Sequence, residues 1–387
     1  MIEEITIQEL AAMEPSACQI IDMRDSTAFA LGHIDGAVLI PQKELEASHE
    51  NLPKDKTLVI YCRSGILSAD VAEQLREEGY AAVNLVGGYV KWLQEKIRRE
   101  TKNEKAAEVE QGLRKKFHRV IFSRFAKAIK TYDLIQPNDR IAVCISGGKD
   151  SMLMAKLMQE LQRHSDVPFE LVFLVMDPGY NEINRQKIES NAELLHIPVT
   201  IFESNIFSVA NNTDKNPCYL CARMRRGHLY SKAKELGCNK IALGHHFNDV
   251  IETTVMSMFY GSQLQAMPPK LHSTSFPGMT LIRPMYCIHE EDILAWKRYN
   301  ELEFIQCACR FTENCTMCDN GGGGSKRQEV KTLLRRLKRD NPNIENSIFR
   351  SIHAVALDTM PGYKSEGVEH SFLERFNAME AASDENE

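Results

Sequence analysis

The chain contains no apolar run approaching the roughly 18 residues that a membrane span needs, and its mean hydropathy is −0.33. Its opening, MIEEITIQEL, is acidic and lacks a basic stretch followed by an apolar one, so no secretory signal is expected. Cysteine is limited to 11 residues in 387, too few and too uneven for a disulfide framework in a chain this long. In the reducing cytoplasm expected for it, clustered cysteines bind metal or do chemistry. No sign of charge dominates: 47 Lys and Arg against 53 Asp and Glu leave −6. That balance argues against a general nucleic-acid coat and is silent on local basic patches. No internal repeat is present. Membrane, collagen-like and fully disordered classes are excluded. With 43% apolar and 26% charged residues, the expectation is a soluble globular protein. At roughly 100–200 residues per domain it should have two or three domains.

Residues 1–97 alternate short apolar runs with helical patterns. QIIDM (19–23), AVLI (37–40), TLVIYC (57–62) and AVNLV (82–86) read as strands, and 68–79 reads as a helix. A second series follows from about 120, with strands at 140–146, 171–177, 199–204 and 240–246. Strands alternating with helices predict parallel sheets, so the fold class is α/β in both halves. Between them, fourteen of the 25 residues 95–119 are charged, nine basic and five acidic, which predicts a solvated helical linker over 98–119. The helix KRQEVKTLLRRLKR (326–339) has seven basic residues and one acidic. The second domain is expected to end near 362, and the tail 363–387 to be partly disordered, above all its acidic last nine residues.

TLVIYC runs into RSGILS and then a helix, which places Cys62 at the carboxyl end of a buried strand. Backbone N–H groups of 63–68, the helix start and Arg63 could all stabilise an anion there and lower the thiol pKa. The arrangement suits a thiolate, a persulfide or a phosphate, and a plain buried cysteine is the simpler reading of the junction alone. The surroundings carry more. Asp22-Met-Arg24, Phe29-Ala-Leu-Gly32-His33-Ile34-Asp-Gly36, then Tyr61-Cys62-Arg-Ser-Gly-Ile-Leu-Ser68, then Gly87-Gly88-Tyr89-Val-Lys-Trp92 resemble a single-domain rhodanese. The resemblance implies that Cys62 carries sulfur. Ala28 stands where many rhodaneses have an acidic residue. Phosphatases of related architecture have a longer cysteine loop.

RIAVCI leads into Ser146-Gly147-Gly148-Lys149-Asp150-Ser151 and an apolar-periodic helix. Two glycines let the backbone approach an anion, and the new helix directs free N–H groups at it. Lys149 adds a charge, and Ser146 and Ser151 add hydroxyls, so a pyrophosphate fits. The Walker A spacing is absent. The run resembles the PP-loop of the N-type ATP pyrophosphatases, which implies that Ser146 to Ser151 hold the phosphates of ATP and that Asp150 stands near Mg2+. Asp177, at the end of the next strand, would then sit at the nucleotide edge of the sheet.

Cys218 and Cys221 form a C-x-x-C pair opening a helix, and Cys307, Cys309, Cys315 and Cys318 follow downstream. From spacing, an iron–sulfur cluster, a structural zinc and a redox dithiol stay open. Cys18, Cys144, Cys238 and Cys287 read as core or incidental cysteines. PCYLCARMRRGHLYSKAKELG, KIALGHHFNDVIETTVMSMFYG, MPPKL and IRPMYC together resemble the tRNA 2-thiocytidine synthetases, the TtcA family, over about 120–362. Gly244-His245-His246-Phe-Asn-Asp249 is a second signature of that family, which implies a place near the nucleotide for His246 and Asp249. The resemblance further implies a [4Fe–4S] cluster on Cys218, Cys221 and a third cysteine. Phe304-Ile-Gln-Cys307 matches the family from one side and Cys315-Thr-Met-Cys318 from the other, so Cys307 is favoured and Cys315 competes. Arg223, Arg225 and Arg226 fit contacts to a tRNA backbone.

The chain is thus identified as a rhodanese-like α/β domain followed by a PP-loop (adenine nucleotide alpha hydrolase-like) parallel-sheet domain. The implied function is an ATP-dependent tRNA sulfurtransferase, with Cys62 and Asp150 catalytic. The base would be a cytidine of the anticodon loop, adenylated at the C2 oxygen. The implied partners are tRNA and a cysteine desulfurase or other persulfide donor, with no membrane and, by family analogy, a homodimer. Thiolation of uridine or of a non-tRNA substrate, a non-catalytic sulfur carrier or redox protein, and a lysidine-type ligase are the competing readings.

Overall fold

The computed structural model describes residues 3–47, 49–204, 206, 217–305 and 326–377. The chain divides into two compact units, Met1–Lys105 and Ala106–Glu387.

The first unit is built on a five-stranded sheet of Glu4–Ile5 (β1), Cys18–Asp22 (β2), Val38–Leu39 (β3), Thr57–Tyr61 (β4) and Ala82–Leu85 (β5). The order is β1-β5-β4-β2-β3, and every pairing is parallel. The central strand β4 is apolar along its length because helices cover both of its faces. Leu58 and Ile60 pack with Ile21, Val71 and Leu75 on one side, while Val59 and Tyr61 pack with Ile7, Leu10 and Ile34 on the other.

In the second unit the strands are Arg140–Ile145 (β6), Glu170–Asp177 (β7), Val199–Glu203 (β8), Lys240–Ala242 (β9), Lys270–His272 (β10) and Thr280–Ile282 (β11). The order is β10-β11-β9-β6-β7-β8; β10 alone runs antiparallel, at the edge. Strand β6 is central and buried after its first residue. The helix Lys149–His164 that follows it is buried on all sides through its middle, from Ser151 to Glu160. Strand β9 stops at Ala242, short of the 240–246 expected. Beyond it the chain closes on the helix after β6: a Cβ on Gly244 would stand 3.2 Å from the backbone of Asp150 and Ser151. The two short strands β10 and β11 lack the alternation that would have marked them in sequence.

The charged segment expected as a solvated linker differs from that expectation. It is helical, within Gly88–Arg114, but Ala106, Val109 and Leu113 are buried and join Phe117 and Ile121 in packing. The last four of these belong to the second unit's core. Its charges take part too. Glu110 accepts hydrogen bonds from Lys156 (2.6 Å) and Arg163 (2.9 Å), and Arg114 donates to Glu160 (2.7 Å). Lys156 and Glu160 are fully buried, so their partners in the segment are required. The tail also contains structure: Gly362–Ser365 (β12) and Val368–Ser371 (β13) form an antiparallel hairpin. The last nine residues lie outside the described residues.

Leu113→Ala should therefore destabilise the second unit by about 3 kcal/mol, through lost burial and the cavity left behind. A solvated helix would give no more than about 0.5 kcal/mol. Urea unfolding followed by Trp296 fluorescence, in a Trp92→Phe background, distinguishes the two.

Candidate functional site

Cys62 follows the last residue of β4 and stands at the mouth of a loop closed by the helix Leu67–Glu77. Its thiol is buried and receives two donors: the Gly65 N–H at 3.2 Å and the Ser68 hydroxyl at 3.4 Å. Burial pushes the Cys62 thiol up, but the Ser68 hydroxyl and the N–H groups of Ser68, Ser64 and Gly65 outweigh it, so the thiol lies below its ordinary value. Arg63 is exposed, so the anion is held chiefly by backbone and hydroxyl. Ser68 also reaches the buried Asn84 Oδ1 at 2.7 Å. One hydroxyl has one proton, so Ser68 donates to Asn84 or to the sulfur at a given moment. The loop closes tightly because Gly88 has no side chain: a Cβ there would stand 2.4 Å from the Cys62 carbonyl oxygen.

Beneath the loop, the buried Asp22 accepts the Tyr61 hydroxyl (2.6 Å) and a bidentate pair from Arg24. Arg24 also donates to the Gly32 carbonyl and lies 3.7 Å above the Tyr89 ring. These residues fix the strand end on which Cys62 sits. Their sequence signal was the Asp-x-Arg pair at the end of β2.

In the second unit, β6 ends at Ile145 and the helix after it begins at Lys149, with Gly148 as its N-cap. Gly147 has φ +82°, and a Cβ would meet Ile188 at 2.5 Å. The Ser151 hydroxyl accepts the Ser146 N–H (3.1 Å) and donates to the Gly148 carbonyl (3.0 Å). Lys149 pairs with Asp150 Oδ2 at 3.0 Å and with Glu290 at 3.5 Å. Asp150 Oδ1 is buried with no hydrogen-bond partner among the described residues. A cavity of about 440 Å³ opens on this loop, and Ser146, Asp150 and Ser151 line it.

The other predicted residues distribute unevenly around that cavity. Asp249 lines it. His246, buried, caps the helix Phe247–Gly261 in a reciprocal capping box with Asp249, and its Nε2 stands 3.8 Å from Asp150 Oδ1. Asp177 spends Oδ1 on the N–H groups of Gly179 and Tyr180, and its neighbour Met176 reaches the cavity instead. Arg225 and Arg226 line the cavity, whereas Arg223 is exposed. Cys218 and Cys221 occupy the first turn of Pro217–Glu235, the helix that carries those arginines; their side chains lie outside the described residues. Cys307 and Cys315, with Cys309 and Cys318, also lie outside them. Cys144 is buried as expected but also lines the cavity.

Three features escaped the sequence reading. His245 lines the cavity with its Nδ1 buried and unpartnered among the described residues. Burial pulls its imidazole well below the ordinary value, so the ring is neutral at pH 7. Its signal was the doubled histidine of Gly-His-His. Glu290 contacts Lys149 across the fold, and Arg327 donates to Asp249 (2.9 Å) and Glu252 (3.0 Å). Neither of these two has a local sequence signal. Among the described residues, no helix is long and apolar enough to cross a membrane. Nor do three or more His, Cys, Asp or Glu side chains there gather into a metal site.

The depressed Cys62 thiol has a direct consequence. Alkylation of Cys62 by iodoacetamide, followed across pH by peptide mass spectrometry, should rise at a lower pH than for an ordinary cysteine. Ser68→Ala should move that rise upward, because it removes a donor that favours the thiolate. An unchanged profile in Ser68→Ala would assign the effect to the backbone alone.

Residues 6–95 match the rhodanese-like domain family, and residues 117–310 match the PP-loop domain family. The tRNA-cytidine(32) 2-sulfurtransferase of Citrifermentans bemidjiense is 35% identical over 240 residues, which cover 61% of this chain and 90% of that one. The protein of the same name from Methylobacillus flagellatus is 36% identical over 241 residues, 61% of this chain and 76% of that one. Among solved structures, the U34-tRNA thiolase NcsA from Methanococcus maripaludis with its [4Fe-4S] cluster overlaps 62% of this chain and 80% of its own, at 22% identity and a TM-score of 0.48. The identity to these relatives and the two domain matches show that the chain belongs to the tRNA-cytidine(32) 2-sulfurtransferase family of PP-loop proteins, with a rhodanese-like domain preceding the PP-loop domain.

Proposed function

We propose that the chain is an ATP-dependent tRNA sulfurtransferase that replaces the C2 oxygen of a cytidine by sulfur. One observation carries this reading: the helix that opens with Cys218 and Cys221 also contributes Arg225 and Arg226 to the cavity lined by Ser146, Asp150 and Ser151. A phosphate cradle, cationic side chains and a cysteine pair thus lie on elements that meet at one opening.

In this reading Ser146–Ser151 bind the phosphates of ATP through N–H groups, hydroxyls and the Lys149 ammonium. Asp150 Oδ1, without a hydrogen-bond partner among the described residues, suits Mg2+, which keeps few protein carboxylates and takes its other ligands from phosphate and water. The C2 oxygen of the base attacks the α-phosphorus and pyrophosphate leaves. Hydrosulfide then adds to C2, and the oxygen departs with AMP; sulfane sulfur from a persulfide enters this step only after a second thiol has reduced it to hydrosulfide, that thiol and the carrier cysteine leaving as a disulfide. Asp177 shapes the β7 end of the site, His246 and Asp249 buttress Asp150, and Arg223, Arg225 and Arg226 take RNA phosphates. Cys218 and Cys221, three residues apart on one helical turn, are soft donors suited to an iron–sulfur centre, with Cys307 or Cys315 as third ligand. A bound [4Fe–4S] cluster would supply a place to hold inorganic sulfide.

Cys62 is the sulfur entry. Its thiolate accepts a sulfane sulfur from a cysteine desulfurase or another persulfide donor, and the converging N–H groups stabilise the persulfide anion as they do the thiolate. A tRNA substrate and the free thiols among the described residues support a cytoplasmic reaction. A homodimer is the assembly we assign by analogy with PP-loop thiolases.

Nucleoside mass spectrometry of tRNA incubated anaerobically with the protein, Mg-ATP and sulfide should show 2-thiocytidine. A thiouridine would change the substrate base, and no thionucleoside would overturn the function. Lys149→Met should lower the rate about 100-fold, as loss of a preorganised charge does. Cys62→Ala should keep the sulfide-driven reaction and lose the persulfide-driven one. Anaerobic preparations should contain iron and acid-labile sulfide; zinc alone would refute the cluster.

A further inference from the structure

Glu290 stands between two lysines and gives each an oxygen. Oε1 is 3.5 Å from Lys149 of the phosphate loop, and Oε2 is 2.7 Å from Lys331 of the basic helix Lys326–Asp340. All three side chains are mostly sheltered, with 18–24% of their surface exposed, so their charges are weakly screened. Burial pushes the Glu290 carboxyl up, and Lys331 and Lys149 reverse this, holding it below its ordinary value. Glu290 is therefore a full carboxylate at neutral pH, and the shorter contact assigns its charge to Lys331.

The parts that hold this arrangement are rigid. The Glu290 N–H donates to Asn248 Oδ1 at 2.9 Å, within the Gly-His-His-Phe-Asn-Asp run. Arg327, one turn before Lys331 on the same helix face, grips Asp249 and Glu252. Val330 and Leu334 pack on Phe247, Ile251 and Val255. The basic helix is thus divided: Arg327, Lys331 and Lys338 turn to acids of the fold, while Arg335, Arg336 and Arg339 are exposed. A carboxylate near a phosphate site is unfavourable for anion binding unless its charge is met elsewhere, because it competes with the phosphate for the loop lysine and repels the phosphate directly.

We propose that Lys331 is a positioning residue for the phosphate loop: by satisfying Glu290, it weakens the hold of that carboxylate on the Lys149 ammonium, whose nearer partner is Asp150 at 3.0 Å, in favour of a bound polyphosphate. The inference rests on the reading of Ser146–Ser151 as the ATP site. Lys331 touches no substrate and acts through Glu290.

A double-mutant cycle on the full chain, read as affinity for α,β-methylene-ATP by calorimetry, tests it. Lys331→Met leaves Glu290 with Lys149 alone and should weaken binding roughly 10-fold, about 1.4 kcal/mol. Glu290→Gln alone should bind more tightly than wild type. Adding Glu290→Gln to Lys331→Met should restore affinity to within about 2-fold of wild type, a coupling that loss of helix seating would not give. Lys338→Met removes contacts of the same helix to Glu291 and Glu345 and should leave affinity unchanged. Wild-type affinity in Lys331→Met, a double variant as weak as Lys331→Met, or equal weakening by Lys338→Met would each overturn the proposal. Absence of binding by the wild type would instead refute the nucleotide-site reading, and this inference with it.

Discussion

Backbone N–H groups without carbonyl partners, where a helix begins directly after a parallel strand, are the resource on which both units depend. A helix leaves its first N–H groups unpaired, and a parallel strand delivers the chain to that point at the carboxyl edge of the sheet. In the first unit these donors meet a sulfur atom of the protein itself, and the Gly65 N–H lies 3.2 Å from it. In the second unit they border a cavity. The requirement that no side chain fill the space is visible at Gly88 and Gly147, where a Cβ would collide at 2.4 and 2.5 Å. On the proposed reading, the same local geometry serves a covalent anion in one unit and a diffusible one in the other.

Charge is handled in two ways in the second unit, and the presence of a cavity separates them. Lys156 and Glu160 are fully buried and their partners, Glu110, Arg114 and Arg163, close over them. Burial pulls Lys156 below its ordinary value despite Glu110, the signature of a charge retained at a cost. Those pairs clasp the segment after residue 105 to the helix Lys149–His164. Around the cavity, by contrast, Asp150 Oδ1 and His245 Nδ1 have no hydrogen-bond partner among the described residues. Unpaired buried polar atoms are costly in a resting fold and become favourable contacts when a polar ligand arrives. Site and scaffold use the same residue types, and the difference lies in what has been left unsatisfied.

Much of this was legible in the sequence because it is local. Strands β2, β4, β5, β6, β7 and β8 announce themselves as apolar runs, and the Cys62 and Ser146–Ser151 loops fall where a strand ends and a helix starts. What was not legible is non-local. Glu290 and Lys331 are separated from Lys149 by more than a hundred positions, and no spacing rule links them. The segment 95–119 was misread for another reason. Its fourteen charges outnumber Ala106, Val109, Leu113 and Phe117, but those four recur at helical intervals and are the ones that pack. Periodicity, not composition, carried the signal there. Arg225 and Arg226 read as contacts for RNA because a basic cluster is all the sequence shows; that they also line the cavity is set by the fold.

The helix Pro217–Glu235 sets the scale of the second site. Cys221 precedes Arg225 by four positions, about 6 Å along a helix axis. Leu229 and Tyr230, a further turn along, line the same cavity, and Tyr230 stacks on Phe276 at 5.0 Å. A helix packed this way behaves as a rigid ruler, because its far end is held by Ala233, Cys238 and Ile241 in the core. On the proposed reading, a sulfur species held at the first turn stands about one helical turn before the arginines that line the cavity. On the same reading, sulfane sulfur accepted at Cys62 must be reduced by a second thiol, which takes up the oxidation as a disulfide, before it can add to C2 as hydrosulfide.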